Sequence, residues 1–257
     1  MSRLSVLLVL PFALLPDPPA TAQKKEPEKK DLPKILYAVP LVVTPGGKQK
    51  LALRGKNLDA VKEVKVGGAA GATVKVLGAK KTPVGNNQPG DRIGDTEVEI
   101  ELELPKGTKP GTTLAAVGPG GESAAYTLLV PDDTPAVKEV EPNDGFDAAQ
   151  AIPVPCAVEA TIKGERDPDV FKFDGKKGEK VKVEVQAARF GSPVDALVTV
   201  YDADRRVVAA ADDTDGTPDP ILTVSLPRDG PFYVTVIDAH DLGGPTFGYR
   251  LVVRKEK

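Results

Sequence analysis

The chain has no tryptophan and very few residues of several other versatile kinds. Among its 257 residues there are one Cys, one His and one Met, and aromatic residues make up 5%. A single Cys excludes an internal disulfide bond. One His and one Cys cannot supply the three or four nitrogen and sulfur ligands that a zinc site needs. Glycoside hydrolysis by paired carboxylates is also disfavoured, because without Trp there is no aromatic platform for a sugar.

Sequence motifs for other catalytic classes are missing as well. The chain has no Gly-x-Ser-x-Gly elbow, no His-Glu-x-x-His pair and no glycine-rich phosphate loop. His240 lies in a polar stretch, residues 238–244, where a hydrolytic relay would also need a nucleophile and an orienting acid. We therefore predict that the protein is not an enzyme. An unrecognised hydrolase is the least favoured alternative.

Cys156 allows two interpretations, a reactive thiol or a small buried hydrophobic residue at the start of a strand. No histidine or other base lies near it in the sequence to lower the pKa of its thiol, which favours the buried residue.

Charge and composition favour a strand-and-turn protein. The formal net charge is −3, so no strong field directs the chain to nucleic acid or to an anionic membrane. Gly and Pro number 25 each, which suits strands joined by turns better than helices. We predict an all-β fold of two β-sandwich domains, with no nucleic-acid partner.

The N-terminal residues have the features of a secretory signal. Arg3 precedes an apolar run over residues 4–15, and Ala20-Thr21-Ala22 is a small-x-small cleavage site. The run is too short to span a bilayer, and no later segment is apolar enough. We predict a signal peptide over residues 1–22, a flexible mature N-terminus over 23–33, and a secreted, periplasmic or cell-surface location without a membrane span.

A cluster of turn residues at 131–135 divides the remaining chain into predicted domains 34–131 and 136–257. In the first, apolar residues alternate with charged ones, as in Val98, Ile100, Leu102 and Leu104 between glutamates, which predicts half-buried strands. Its turns around residues 45–47, 105–111 and 118–121 resemble those of IPT/TIG-type immunoglobulin-like domains. The polar residues 80–95 are predicted to form a solvated, mobile connection, with a binding loop as the alternative.

Many ordered markers of the second part resemble the bacterial pre-peptidase C-terminal (PPC) domain. They begin with Glu141-Pro142-Asn143-Asp144 and a predicted helical turn at 148–152, and continue with Asp167-x-Asp169-x-Phe171. Further along, Val200-Tyr201-Asp202 leads into a predicted hairpin, and Gly248-Tyr249-x-Leu251 matches the last strand. The resemblance implies an antiparallel, jelly-roll-like sandwich of about eight strands in an exported protein.

Six side chains with hard oxygen atoms lie on two short segments of this part, as a calcium ion selects. They are Glu139, Glu141, Asn143, Asp144, Asp167 and Asp169. In PPC domains attached to collagenases, similar segments form a calcium site, so the resemblance implies Ca²⁺ here. The alternative is turn chemistry, with Asn143 and Asp144 capping the following turn and the other acids solvated. The run of residues 212–216 also resembles a calcium loop, but a hairpin turn is the better interpretation.

Together these observations predict an exported, non-catalytic binding or structural protein of the envelope or extracellular space. Its expected partner is an extracellular polymer or a surface protein. The alternative is an accessory targeting or folding module that serves secreted peptidases or other hydrolases in trans.

Overall fold

The computed structural model describes residues 31–85 and 88–256. The predicted signal peptide, residues 1–22, and most of the predicted flexible N-terminus, residues 23–33, lie outside these ranges. Within the described residues, no helix is both long enough and apolar enough to cross a membrane.

The first half of the described chain forms two small sheets. The strand order is β1-β2-β5-β4 in one sheet and β3-β6-β7 in the other, with β8 pairing to β6. The elements are β1 (Lys34–Val39), β2 (Lys48–Lys56), β3 (Glu63–Gly67), β4 (Thr73–Lys81), the short helix α1 (Gly90–Ile93), β5 (Thr96–Glu103), β6 (Thr113–Gly118), β7 (Gly121–Glu122) and β8 (Tyr126–Thr127).

The second half forms two five-stranded sheets, ordered β10-β12-β17-β14-β15 and β16-β13-β18-β11-β9. Together the four sheets confirm the predicted all-β sandwich class. The elements are β9 (Ala136–Lys138), β10 (Gln150–Ala151), β11 (Cys156–Thr161), β12 (Asp169–Gly175), β13 (Lys180–Gln186), β14 (Ala196–Tyr201), β15 (Val207–Ala211), β16 (Ile221–Ser225), β17 (Gly230–Asp238) and β18 (Gly248–Glu256).

Two short edge strands depart from the expected antiparallel pattern. β9 pairs in parallel with β11, and β10 pairs in parallel with β12. Both strands belong to the segment that leads into the second half. Each lies at the edge of one of its two sheets. The predicted helical turn at 148–152 is therefore wrong, because Gln150 and Ala151 join a sheet instead and Ile152 is buried.

The alternation seen in the sequence builds both cores. Val98, Ile100 and Leu102 of β5 are completely buried, whereas the glutamates between them face outward. In the second half, the valines of β13 enter one core with Phe171 and Phe232. The predicted hairpin after Asp202 is confirmed, because β14 and β15 pair antiparallel across it. Alternating burial thus sets the register of these strands.

The two halves contact each other along an apolar junction. Leu41, Val42 and Leu129 form a small buried cluster against Phe190. The hydroxyl of Tyr126 donates a hydrogen bond to the carbonyl of Phe190 at 2.7 Å. The sheets change partners between residues 127 and 136, around the predicted boundary. Independent folding of the halves stays a prediction.

Part of the 80–95 connection contacts the second sandwich. β4 continues to Lys81, and α1 places Ile93 in a buried position within the core cluster of the second half. The side chain of Gln88 donates to the carbonyl of Gly243 at 3.1 Å. The expectation of a solvated connection is therefore wrong for residues 88–93, which contact the second sandwich, whereas Lys81 and Gly85 are exposed as expected.

Candidate metal site

The candidate site lies where the segment leading into the second sandwich crosses the start of β12. The parallel pairing of β9 with β11 delivers Glu139 to this point, and its backbone amide donates to the carbonyl of Glu159 at 3.3 Å. The carbonyl of Asn143 accepts a hydrogen bond from the amide of Val170 at 3.0 Å. Backbone hydrogen bonds therefore hold the segment against β11 before Glu141 and against β12 after it.

Three carboxylates meet at this crossing. Glu139, Glu141 and Asp169 each offer one oxygen atom, and these atoms lie within 4.8 Å of one another. Asp169 and Asn143 are fully buried, and the side chain of Glu139 is only 8% exposed. The side chain of Glu141 is 23% exposed and forms the outer side of the group.

Several polar atoms of the group have no hydrogen-bond partner in the described part of the chain. They are Oε1 of Glu139, Oδ1 of Asp169, and both Oδ1 and Nδ2 of Asn143. A buried polar atom without a partner costs about 1–3 kcal/mol, so such atoms are rare in native proteins. Their oxygens are hard ligands of the kind that calcium prefers, and the residues therefore fit a calcium ion.

The remaining oxygen atoms of the carboxylates are held by the fold. The hydroxyl of Tyr249 donates to Oδ2 of Asp169 at 2.5 Å. The amide of Thr161 donates to Oε2 of Glu139 at 3.4 Å, and the amide of Asn143 donates to Oε2 of Glu141 at 3.1 Å. Glu139 and Asp169 thus each have one oxygen fixed by a donor and one without a partner, whereas both oxygens of Glu141 accept hydrogen bonds.

Burial makes the group electrostatically unfavourable without a cation. Burial, assisted by the charge of Glu139, raises the pKa of the Asp169 carboxyl to about 8, against the hydrogen bond from Tyr249. Burial also raises the pKa of Glu139, although the nearby Lys163 opposes this. A bound cation would remove both penalties, because it favours the charged form of every carboxylate.

The structure places the other two predicted acids outside this group. Asp144 is exposed. Asp167 is half-buried, and its Oδ2 accepts a hydrogen bond from the amide of Lys163 at 2.6 Å, which closes the turn before β12. Of the six residues singled out in the sequence, Glu139, Glu141 and Asp169 lie together, and Asn143 follows on the same segment.

Sequence reasoning missed two residues that contact the group, Lys163 and Tyr249. Lys163 makes ion pairs with Glu141 and Glu139, but nothing in its local sequence indicates this. Tyr249 lies 80 residues from Asp169 along the chain. The alternating pattern of β18 predicts that Tyr249 points inward. It does not predict which residue the hydroxyl of Tyr249 contacts.

A second acidic group lies on the surface of the same sandwich. Asp195, Asp212 and Asp213 each bring one oxygen within 4.8 Å of the others. Nδ1 of His240 lies 3.2 Å from Oδ2 of Asp195, and the His240 side chain is 64% exposed. A tight turn forms here, because Thr214 and Thr217 exchange two backbone hydrogen bonds, but the predicted hairpin is wrong, since β15 and β16 on either side of it lie in different sheets.

The single cysteine has the environment of a core residue. Cys156 is fully buried, and burial raises the pKa of its thiol to about 11. A thiol in this state is protonated at neutral pH and a poor nucleophile. The structure therefore favours the interpretation of Cys156 as a packed hydrophobic side chain.

Comparison with known proteins gives one curated relative and several similar folds. No protein-family model matches the chain. A probable subtilase-type serine protease of Deinococcus radiodurans is 35% identical over 107 residues, which are 40% of this chain and 15% of the relative. The chain therefore corresponds to only a small part of that protease. This match agrees with the predicted resemblance of the second half to the PPC domain, whereas the IPT/TIG-like resemblance of the first half is not confirmed.

Two solved structures resemble part of the fold. The pre-peptidase C-terminal domain of the Bacillus anthracis collagenase is 14% identical, with a TM-score of 0.33, over 41% of this chain and 94% of that domain. A periplasmic inhibitor of g-type lysozyme from Aeromonas hydrophila is 13% identical, with a TM-score of 0.31, over 42% of this chain and 97% of the inhibitor. Similarity at this level carries no argument about function.

Proposed function

We propose that the chain is an exported, non-catalytic binding or structural protein whose second sandwich is stabilised by one calcium ion. The observation that carries the calcium proposal is the set of buried, unpartnered atoms on Glu139, Asn143 and Asp169. Buried polar atoms are seldom left without a partner unless an ion or a water molecule contacts them. Three neighbouring carboxylates favour the ion.

The proposed ligands come from two parts of the chain. Glu139, Glu141 and Asn143 lie on the segment that leads into the sandwich, and Asp169 begins β12. An ion held by both parts would fasten the segment to the sheet and neutralise their mutual repulsion. Its role would be structural, because its ligands would join two segments of the chain at a buried position.

Calorimetric titration tests the calcium proposal directly. The full chain, freed of metal by a chelator, should bind one Ca²⁺, and Mg²⁺ should substitute poorly because it requires a tighter octahedral cage. Asp169→Ala should abolish the binding, because it removes a ligand, whereas Asp195→Ala, in the exposed acidic group, should preserve it. Equal binding by the two variants, or no heat with wild type at millimolar calcium, would contradict the proposal.

The partner that we propose is an extracellular polymer or another surface protein. A second candidate, an accessory module for secreted peptidases, is favoured by the identity with part of a subtilase-type protease. Pull-down from the envelope and secreted fractions distinguishes the two. Recovery of a secreted peptidase would support the accessory role, and recovery of surface proteins or polysaccharide without a peptidase would support the first.

A further inference from the structure

Lys163 provides the only ammonium that the structure pairs with the candidate metal site among the described residues. Its Nζ lies 2.6 Å from Oε1 of Glu141 and 3.6 Å from Oε2 of Glu139. The lysine follows β11, and its backbone amide is fixed by Asp167. Its side chain is 55% exposed, so the ammonium reaches the carboxylates from the solvent side.

We propose that Lys163 is an exchangeable internal cation, which neutralises the outer carboxylates in the metal-free protein and must leave when calcium binds. This inference rests on the proposed calcium site and identifies what sets its affinity. The ammonium forms a hydrogen-bonded ion pair with one oxygen of Glu141. Calcium ligands lie at about 2.3–2.6 Å from the ion, so the two cations would crowd the same carboxylates and repel each other.

The two cations reach different depths of the group. Lys163 contacts Glu141 and Glu139, while Oδ1 of Asp169 and the amide of Asn143 stay without partners behind them. An ammonium donates only three hydrogen bonds, whereas calcium takes six to eight oxygen ligands. Calcium can therefore use the inner oxygens that the lysine leaves unpaired, and this difference favours exchange over permanent occupation by lysine.

The position of the side chain makes the exchange possible. More than half of Lys163 is already exposed, so its ammonium can return to water by rotation of its flexible stem. The three carboxylates carry up to three negative charges, and the ammonium cancels one of them. A divalent ion that replaces it leaves the group closer to neutral.

The test compares calcium titrations of the full-length wild type with two neutral variants, Lys163→Met and Lys163→Gln. The control is Lys255→Met, which removes another exposed lysine, paired with Glu179 at 2.7 Å far from the site. Removal of a competing ion pair worth up to about 1 kcal/mol should lower the calcium Kd about fivefold in both Lys163 variants. Their melting temperature in chelator should fall, because Glu139 and Glu141 lose their counter-charge, and the calcium-induced rise should grow.

Each outcome separates the inference from the function on which it rests. If wild type binds calcium and the Lys163 variants bind it with unchanged Kd, the exchange is overturned and the calcium site stands. If only the Lys163 variants bind calcium, the lysine does occupy the site and the proposed function of the native chain fails. If none of the chains binds calcium, both are overturned. The second neutral variant keeps the test valid should Met at position 163 impair folding.

Discussion

Two groups of three carboxylates lie on the second sandwich, and they differ in almost everything except their number. Glu139, Glu141 and Asp169 meet at a buried crossing of chain segments, whereas Asp212 and Asp213 of the other group are exposed. Water solvates the exposed charges and screens their repulsion. Burial removes this solvation from Glu139 and Asp169, and this is why burial, rather than the number of acids, indicates a metal ligand set.

Their surroundings differ in the same direction. The buried group has unpartnered oxygens, a tyrosine hydroxyl donating to Asp169 and a lysine ammonium on its outer side. The exposed group has His240 beside Asp195. β9 and β12 thus hold the buried group close together. The exposed group lies on surface loops, where its side chains can separate.

The largest expected effect concerns the amide of Asn143, whose two polar atoms are buried without partners. Asn143→Leu has a similar volume but offers no ligand. In chelator its free energy of unfolding should stay equal to that of wild type or rise by up to about 1 kcal/mol, because an unpaired polar group is removed. With calcium at a hundredfold excess over Kd, wild type should gain ~2.7 kcal/mol and the variant almost nothing.

Urea unfolding followed by circular dichroism, in chelator and in calcium, measures both quantities for Asn143→Leu. Asn143→Asp serves as the matched control, since it keeps an oxygen ligand of the same length. A variant that is strongly destabilised in chelator yet responds to calcium as wild type does would show that the amide is structural and not a ligand.

Features that depend on residues close together in the sequence could be predicted, whereas features that depend on contacts between distant residues could not. The alternation of Val98, Ile100 and Leu102 is local, and the buried face of β5 follows from it directly. The two segments of the candidate site were also found, because short acidic motifs next to strands are visible in a linear pattern. Which acids turn inward could not be found, since Asp167 and Asp169 differ only by their positions relative to β12.

The remaining differences come from tertiary contacts. Gln150 and Ala151 have good helix-forming neighbours, yet pairing with β12 makes them a strand, so sheet formation overrides local propensity. Tyr249 and Lys163 reach the site from elsewhere in the chain, and no local pattern indicates their partners.

The second prediction concerns Phe146, which anchors the same segment a few residues beyond the site. Its ring packs edge-on against Tyr201 and Tyr233, with centroids 5.1 Å apart in both pairs, and the guanidinium of Arg205 lies over it. Phe146→Ala should lower the free energy of unfolding by about 2 kcal/mol, because a partly exposed aromatic loses less than a core one.

Phe146→Ala should also weaken calcium binding, since the segment carrying Glu141 and Asn143 loses its second anchor. Tyrosine fluorescence reports the aromatic contact directly, because the chain contains no tryptophan. Phe146→Leu should retain most of the stability. If Phe146→Ala leaves the calcium Kd unchanged, the buried group is rigid without this anchor, and its contrast with the exposed group rests on β9 and β12 alone.

The third prediction uses Asp132, a carboxylate that the fold pairs permanently with cations. Partial burial acts to raise its pKa, but hydrogen bonds from Arg250 and Thr134 prevail and lower it from 3.8 to about 2. Because the folded-state pKa lies below the unfolded one, the stabilisation is present above pH 3.8 and is lost as the pH falls towards 2. With 37% of the side chain exposed, we expect about 1 kcal/mol.

Asp132→Asn should therefore lower the urea midpoint at pH 7 and converge with wild type near pH 2. Calcium should not alter this difference, since Arg250 and Arg254 already supply the positive charge. A constant gap between the two chains from pH 7 to pH 2 would mean that packing, not charge, makes Asp132 important.

The smallest expected effect is that of the exposed acidic group itself. Asp212→Asn and Asp213→Asn should each change the free energy of unfolding by less than about 0.5 kcal/mol, because both side chains are already solvated. Each substitution removes a repulsion between carboxylates that water already screens. We therefore expect that no ion is needed to hold the loops. The calcium Kd and a stoichiometry of one ion should remain those of wild type in both variants. A wild-type stoichiometry of two that falls to one in either variant would show that the exposed carboxylates bind calcium as well. In that case burial would not distinguish the two groups, and the number of neighbouring carboxylates would be the property that selects the ion.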